Sequence, residues 1–205
     1  MKEIYNILYK KYGKQNWWPT KSDNKKFEVI IGTILTQNTS WNNVEKAINN
    51  LIKNNVLDTE KIIKINKNKL ASLIRPAGYY NKKAERLKII AKFFFNNKDP
   101  NRKELLNLKG VGKETADSIL LYAYNKPYFV VDAYTKRIMN RIGFKEESYD
   151  ELQELFHKSL EKDYKLFNEY HALIVKLAKE NCKKIPRCND CCLKDKCKFN
   201  LEMSG

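Results

Sequence analysis

The spacing of apolar residues predicts an all-α protein. Ile4, Leu8 and Tyr12, then Phe27, Ile30, Ile31, Ile34 and Leu35, recur at the three-to-four residue interval of one helix face. Further sets of the same kind follow almost to the C-terminus. The one β-prone run, residues 128–131, is too short for a sheet and has no second run to pair with. There is no internal repeat. The 205 residues, 42% hydrophobic and 31% charged, can bury one core or two small ones.

In chain order, residues 1–15 form a first short helix that ends before Asn16-Trp17-Trp18-Pro19. The residue before a proline is pushed out of the helical region, so the tryptophans sit in an extended turn. Adjacent residues there point in different directions, and one of them is free to line a pocket. Residues 27–35 are a continuous apolar helix ending at the polar break Thr36-Gln37-Asn38-Thr39-Ser40-Trp41. Ser40 then suits the N-cap of a helix over 43–53, with Val44, Ala47, Ile48 and Leu51 inward. Helices over 58–65 and 69–74 lead to the turn Arg75-Pro76-Ala77-Gly78-Tyr79-Tyr80-Asn81. The stretch 82–96 is basic and amphipathic, burying Ala84, Leu87, Ile90, Ala91 and Phe94. Residues 101–106 and the pattern Ala116, Ile119, Leu120, Ala123 flank a glycine-bounded turn, Gly110-Val111-Gly112. After Asp132 a helix runs to Ile142 and stops at Gly143, followed by helices over 149–160 and 166–180.

The formal net charge of +16 is a large field of one sign for a chain of this size. Nucleic acid is the partner it fits best, although lysine enrichment in an AT-rich genome would produce the same count. The lysines are spread along the chain instead of flanking one apolar helix, which disfavours a membrane surface. No apolar run nears the ~20 residues of a membrane span, and the N-terminus lacks a signal-peptide core, so a cytoplasmic, nucleoid-associated protein is expected.

All five cysteines fall between Cys182 and Cys197, where a disulfide framework would tie distant segments together. Clustering of this kind points to a metal centre. The spacing Cys182-x5-Cys188-x2-Cys191-x5-Cys197 suits four thiolates around either [4Fe–4S] or zinc, and Cys192 could replace Cys191 as a ligand. Lys183, Lys184, Arg187, Lys194 and Lys196 surround the cluster.

The Gly110-Val111-Gly112 turn opens a helix whose first N–H groups suit a phosphate, as many helix starts do. More specific is the combination Leu108-x-Gly110-Val111-Gly112-x-x-Thr115-Ala116 followed by Val130-Val131-Asp132. Together with the Gln37-Asn38-Thr39 turn and the cysteines, it resembles the helix-hairpin-helix endonuclease III superfamily of DNA glycosylases along nearly the whole chain. The stretches Trp17-Trp18-Pro19, Leu35-Thr36-Gln37-Asn38-Thr39, residues 75–81 and 112–117 resemble its 3-methyladenine branch. The first cysteine gap is one residue shorter than the superfamily's usual pattern, and Leu173 stands where the branch can carry a late-helix lysine.

The resemblance implies two helical lobes with double-stranded DNA between them: a barrel over 21–132 and a cluster lobe made of 1–20 and 133–205. Asp132 would be the catalytic carboxylate, stabilising oxocarbenium charge and orienting water, a role compatible with capping the next helix. Trp18, Pro19 and Trp41 would form the pocket for the flipped base; a cationic alkylated purine gains ~1–2 kcal/mol on such a surface. Gln37 would fill the hole left in the duplex. Lys109, Gly110, Val111, Gly112, Lys113 and Thr115 would grip phosphates. Cys182, Cys188, Cys191 and Cys197 would hold [4Fe–4S], which the resemblance favours over zinc. Glu114 occupies the position of the lysine with which strand-cutting members form a Schiff base, and a carboxylate cannot do that chemistry. A monomeric enzyme with little or no lyase activity is therefore expected, releasing an alkylated purine such as 3-methyladenine. The rival readings are a bifunctional glycosylase/lyase, a mismatch thymine/uracil glycosylase, and a DNA-binding module without catalysis.

Overall fold

A computed structural model describes residues 1–203. All of the regular structure among them is helical, as the apolar spacing predicts. The chain divides into two compact units, residues 1–17 with 125–205 and residues 18–124. None of its described helices is long and apolar enough to cross a membrane.

The first unit contains α1 (Lys2–Tyr12), and the second contains α2 (Lys25–Leu35), α3 (Trp41–Lys53), α4 (Thr59–Lys64), α5 (Lys67–Leu73), α6 (Tyr80–Asn96), α7 (Arg102–Leu106) and α8 (Lys113–Tyr124). The centre of the second unit is α2, buried on every side and packed on α3, α6 and α8. Its sequence, KKFEVIIGTIL, has polar residues mainly at the start, which is why no face remains for solvent. Asn24 caps it through Phe27 N, and the buried Glu28 carboxylate accepts from the backbone amides of Lys21 and Ser22 and from the Ser22 hydroxyl. Asp117 on α8 is fully buried and takes two hydrogen bonds from the Arg102 guanidinium at 2.7 and 3.0 Å, pinning α7 to α8. Removing either partner of such a pair costs about 3 kcal/mol or more, because the other charge stays behind.

In the first unit α1 and α9 (Ala133–Ile142) pack on α11 (Tyr164–Glu180), with α10 (Tyr149–Ser159) and the short α12 (Lys198–Met203) completing it. Helix α12 lies in the cysteine-rich tail, where no helix is expected from the sequence; Leu201 N–H donates to Cys197 O at its start. Residues 128–131 form no strand. Phe129, Val130 and Val131 are buried, and Phe129 stacks on Phe156 with ring centroids 3.6 Å apart. The Gln153 side-chain amide donates to Phe129 O at 2.7 Å, satisfying a carbonyl that a sheet would otherwise pair.

Those contacts move both boundaries expected from the sequence. The unit change falls after Tyr124, not at 132, because the 128–131 run is core of the first unit. It falls after Trp17, not at 20, because Trp18 packs against α2 and α3 of the second.

Candidate functional site

The hairpin is built from α7, a tight turn and α8. Asn101 and Glu104 form a reciprocal capping box at the start of α7. Val111 N–H donates to Leu108 O at 3.0 Å, and Gly112 O accepts from Ala116 N, so α8 begins directly after the second glycine. Gly110 has φ +86°, and a Cβ there would lie 2.7 Å from Cδ of Arg86. Both the conformation and the neighbour require glycine. Lys109, Gly112, Lys113 and Glu114 are exposed, whereas Val111 and Thr115 are each 7% exposed. Val111 and the Thr115 side chain thus brace the turn from inside.

Gln37 meets this hairpin directly. It follows the C-terminus of α2, in a turn where Asn38 takes φ +52°. Its Nε2 donates to Gly110 O at 3.1 Å and to Thr115 Oγ1 at 3.0 Å. The Arg86 guanidinium, from α6, donates to its Oε1. The adjacent backbone is held by Lys83, 1% exposed, whose ammonium donates to Leu35 O at 2.8 Å and Ala77 O at 2.7 Å. Burial, and then Arg86, lower the Lys83 pKa to about 8, which leaves it protonated at neutral pH. Neither Arg86 nor Lys83 is singled out by sequence, since each is one base among many on a basic helix.

Trp18 and Trp41 come together with ring centroids 5.0 Å apart and an interplanar angle of 80°. They meet edge to face, so no parallel slot lies between them, and Pro19 beside them is exposed. Trp18 can lie so close to α2 because position 32 is glycine: a Cβ there would be 2.9 Å from the indole. Tyr122 is a third member of this group, 5.4 Å from Trp18 and tilted by 50°. It lies off the Ala116–Ile119–Leu120–Ala123 stripe, and no pattern in the sequence pairs it with Trp18.

In the first unit, Asp132 caps α9: its Oδ1 accepts from Thr135 N at 2.7 Å and from Thr135 Oγ1 at 2.9 Å. Its Oδ2 lies 3.6 Å from His171 Nε2 on α11, the side chains being 16% and 8% exposed. Burial pushes the carboxyl pKa up, but the His171 imidazole and the Thr135 bonds outweigh it, and the group titrates below the usual carboxylate range. Capping the helix and carrying a fixed negative charge are thus the same arrangement. His171 has no motif of its own; its partner is distant in sequence.

The cysteine loop closes the first unit. Cys182, Cys188, Cys191 and Cys197 line one cavity, and Cys192 is not among its walls. Cys192 instead neighbours Tyr12 and Lys11 of α1. Arg141 stitches the loop to α9, donating to Cys182 Sγ at 3.3 Å and Lys183 O at 2.7 Å, while Cys197 Sγ donates to Arg141 O at 3.3 Å. Burial, then the neighbouring Cys192, Cys182 and Cys197, push the Cys191 thiol up to about 11, against a bond from Leu193. Among the described residues no three His, Cys, Asp or Glu side chains are drawn into a ready coordination sphere. The cavity nevertheless brings four thiols together, the number a four-thiolate metal centre uses.

The sequence profile of the HhH-GPD superfamily base excision DNA repair protein matches residues 31–162, more than half the chain. A candidate DNA repair glycosylase of Methanocaldococcus jannaschii is 50% identical, the alignment covering 95% of this chain and 94% of that one. Among solved structures, the 3-methyladenine DNA glycosylase of H. pylori bound to 1,N6-ethenoadenine superposes with TM-score 0.76 at 32% identity, covering 87% of this chain and 96% of that one. A non-covalent endonuclease III–DNA complex superposes with TM-score 0.87 at 22% identity, covering 99% and 96%, and shows the shared fold.

Proposed function

The chain belongs to the HhH-GPD superfamily of base excision DNA repair proteins and is a DNA glycosylase, and we propose that it hydrolytically releases an alkylated purine, of the 3-methyladenine class, without cutting the strand. The observation that carries the chemistry is Asp132, a carboxylate held ionised by Thr135 and His171. A flipped nucleotide would meet it as positive charge grows on the sugar, and water would complete the release. The aromatic group of Trp18, Trp41 and Tyr122 would receive the base. A cationic purine gains more there than a neutral one, which supports alkylated over oxidised bases. Glu114, exposed in the first turn of α8, has no amine with which to form a Schiff base. Double-stranded DNA would be gripped by Lys109, Lys113 and the amides that open α8, with Gln37 entering the duplex.

The four cavity thiols, Cys182, Cys188, Cys191 and Cys197, would hold a [4Fe–4S] cluster. It would supply covalent closure of a loop too small for its own core and leave the chemistry to Asp132. Iron, acid-labile sulfide and a brown absorbance are the expected result; colourless protein with one zinc per chain would reassign the site.

The functional test is a panel of duplexes bearing alkylated, deaminated and oxidised bases, scored for base release with and without alkali. Release of 3-methyladenine with strand breaks appearing only after alkali is expected. Asp132→Asn should lower the release rate by about 10²–10³ while duplex binding survives. A borohydride-trapped covalent adduct on abasic DNA would overturn the monofunctional reading.

A further inference from the structure

We propose that Arg86 is a positioning residue that holds Gln37 against the hairpin, so that the Gln37 side chain is already placed for insertion when the hairpin meets the phosphates. The inference rests on the reading above, in which Gln37 enters the duplex. Three separate segments meet at one side-chain amide. Both N–H donors of Gln37 go to the hairpin, to Gly110 O at 3.1 Å and Thr115 Oγ1 at 3.0 Å. Its carbonyl takes the Arg86 guanidinium from α6. The side chain of the same arginine passes close to the hairpin turn, its Cδ 2.7 Å from where a Gly110 Cβ would stand.

A glutamine after a helix end samples many rotamers, and each must be lost when the side chain enters a base stack. Here that loss has already occurred, and the selected rotamer is referenced to the turn that would hold the backbone. Arginine suits the position better than lysine. Its planar fork can bond one group while its face covers another, whereas an ammonium is a point donor. One turn earlier on α6, Lys83 fixes the backbone of the same corner through Leu35 O and Ala77 O. The two bases divide the work: Lys83 sets where the turn is, and Arg86 sets where the Gln37 amide points.

A double-mutant cycle tests this. Affinity is measured for a duplex with a tetrahydrofuran abasic analogue and for an intact duplex, using wild type, Arg86→Met, Gln37→Ala and the double variant. Each single change should cut the preference for the abasic duplex about tenfold, and the double variant should be no worse than the poorer single one. Affinity for intact duplex should stay within about twofold throughout. If the two losses multiply, Arg86 does not act through Gln37. If Arg86→Met weakens both duplexes equally, Arg86 is only a phosphate contact; either outcome overturns the inference alone. A wild type with no preference for the abasic duplex overturns the underlying reading of Gln37, and the inference with it. Melting temperatures check folding, and should Arg86→Met unfold, Arg86→Lys carries the same cycle, keeping stem and charge without the fork.

Discussion

The two oxygens of Asp132 keep different company, and that division yields a pH prediction. Oδ1 is committed to Thr135, while Oδ2 faces His171 at 3.6 Å. Burial alone would raise the carboxyl pKa; the His171 imidazole is the largest influence in the other direction. A lowered pKa means that the charge persists as pH falls below the ordinary carboxylate value of ~3.9, and base release should persist with it if Asp132 carries the proposed role. His171→Gln removes the main opposing influence, so the acid limb of single-turnover release should move to higher pH. An unchanged limb in that variant would show that Thr135 suffices. Asp132 was legible in the sequence because it ends an apolar run just before a helix, within a recognisable signature. His171 was not, since an imidazole on an amphipathic helix carries no pattern that names its partner. Arg86 and Tyr122 were hidden for the same reason: their roles come from side chains that only the fold brings near.

At the scale of elements, periodicity located each of the long helices, and the misses lie at ends and corners. Ser40 stands at the N-cap of α3 as expected, yet its side chain makes no capping bond. Helix α5 starts earlier than its apolar pattern, at Lys67, because Asn66 caps it through the amides of Asn68 and Lys69. The corner between α2 and α6 depends on Lys83, which no periodicity rule would place inside a core. Lys83→Met keeps the stem volume but leaves Leu35 O and Ala77 O without a donor, and should cost about 2 kcal/mol at pH 7. The pH dependence has a definite sign. The folded pKa is about 8 and the unfolded one ~10.4, so between those values the unfolded chain binds more protons. The wild-type lysine therefore contributes more stability as pH rises through that window. The gap between wild type and Lys83→Met should widen from pH 7 to pH 9.5, read from denaturation midpoints at both. A gap that does not change would mean the two carbonyls hold the ammonium strongly enough to keep its pKa near the unfolded value, and a gap that closes that they raise it above that value.

For the whole molecule the question is whether the +16 charge is a binding field or only a lysine-rich composition. Charge count cannot separate these readings, but salt can. Each phosphate neutralised releases counterions, so the logarithm of affinity falls against the logarithm of salt with slope about −0.9 per contact. If the hairpin and its surroundings make about six contacts, affinity for intact duplex should fall about 10³-fold between 50 and 200 mM salt. The slope must also be local. Lys109 and Lys113 are exposed beside the turn, and Lys109→Ala or Lys113→Ala should each flatten it by about one unit and weaken all duplexes alike. Lys64 is an internal control: exposed, equally charged, but paired with Glu60 at 2.9 Å within α4, it should leave the slope unchanged. Were all three substitutions to flatten the slope equally, the charge would act as a diffuse cloud. The helix-hairpin-helix turn would then be a structural connection, and the DNA clamp would have to be sought elsewhere on the chain.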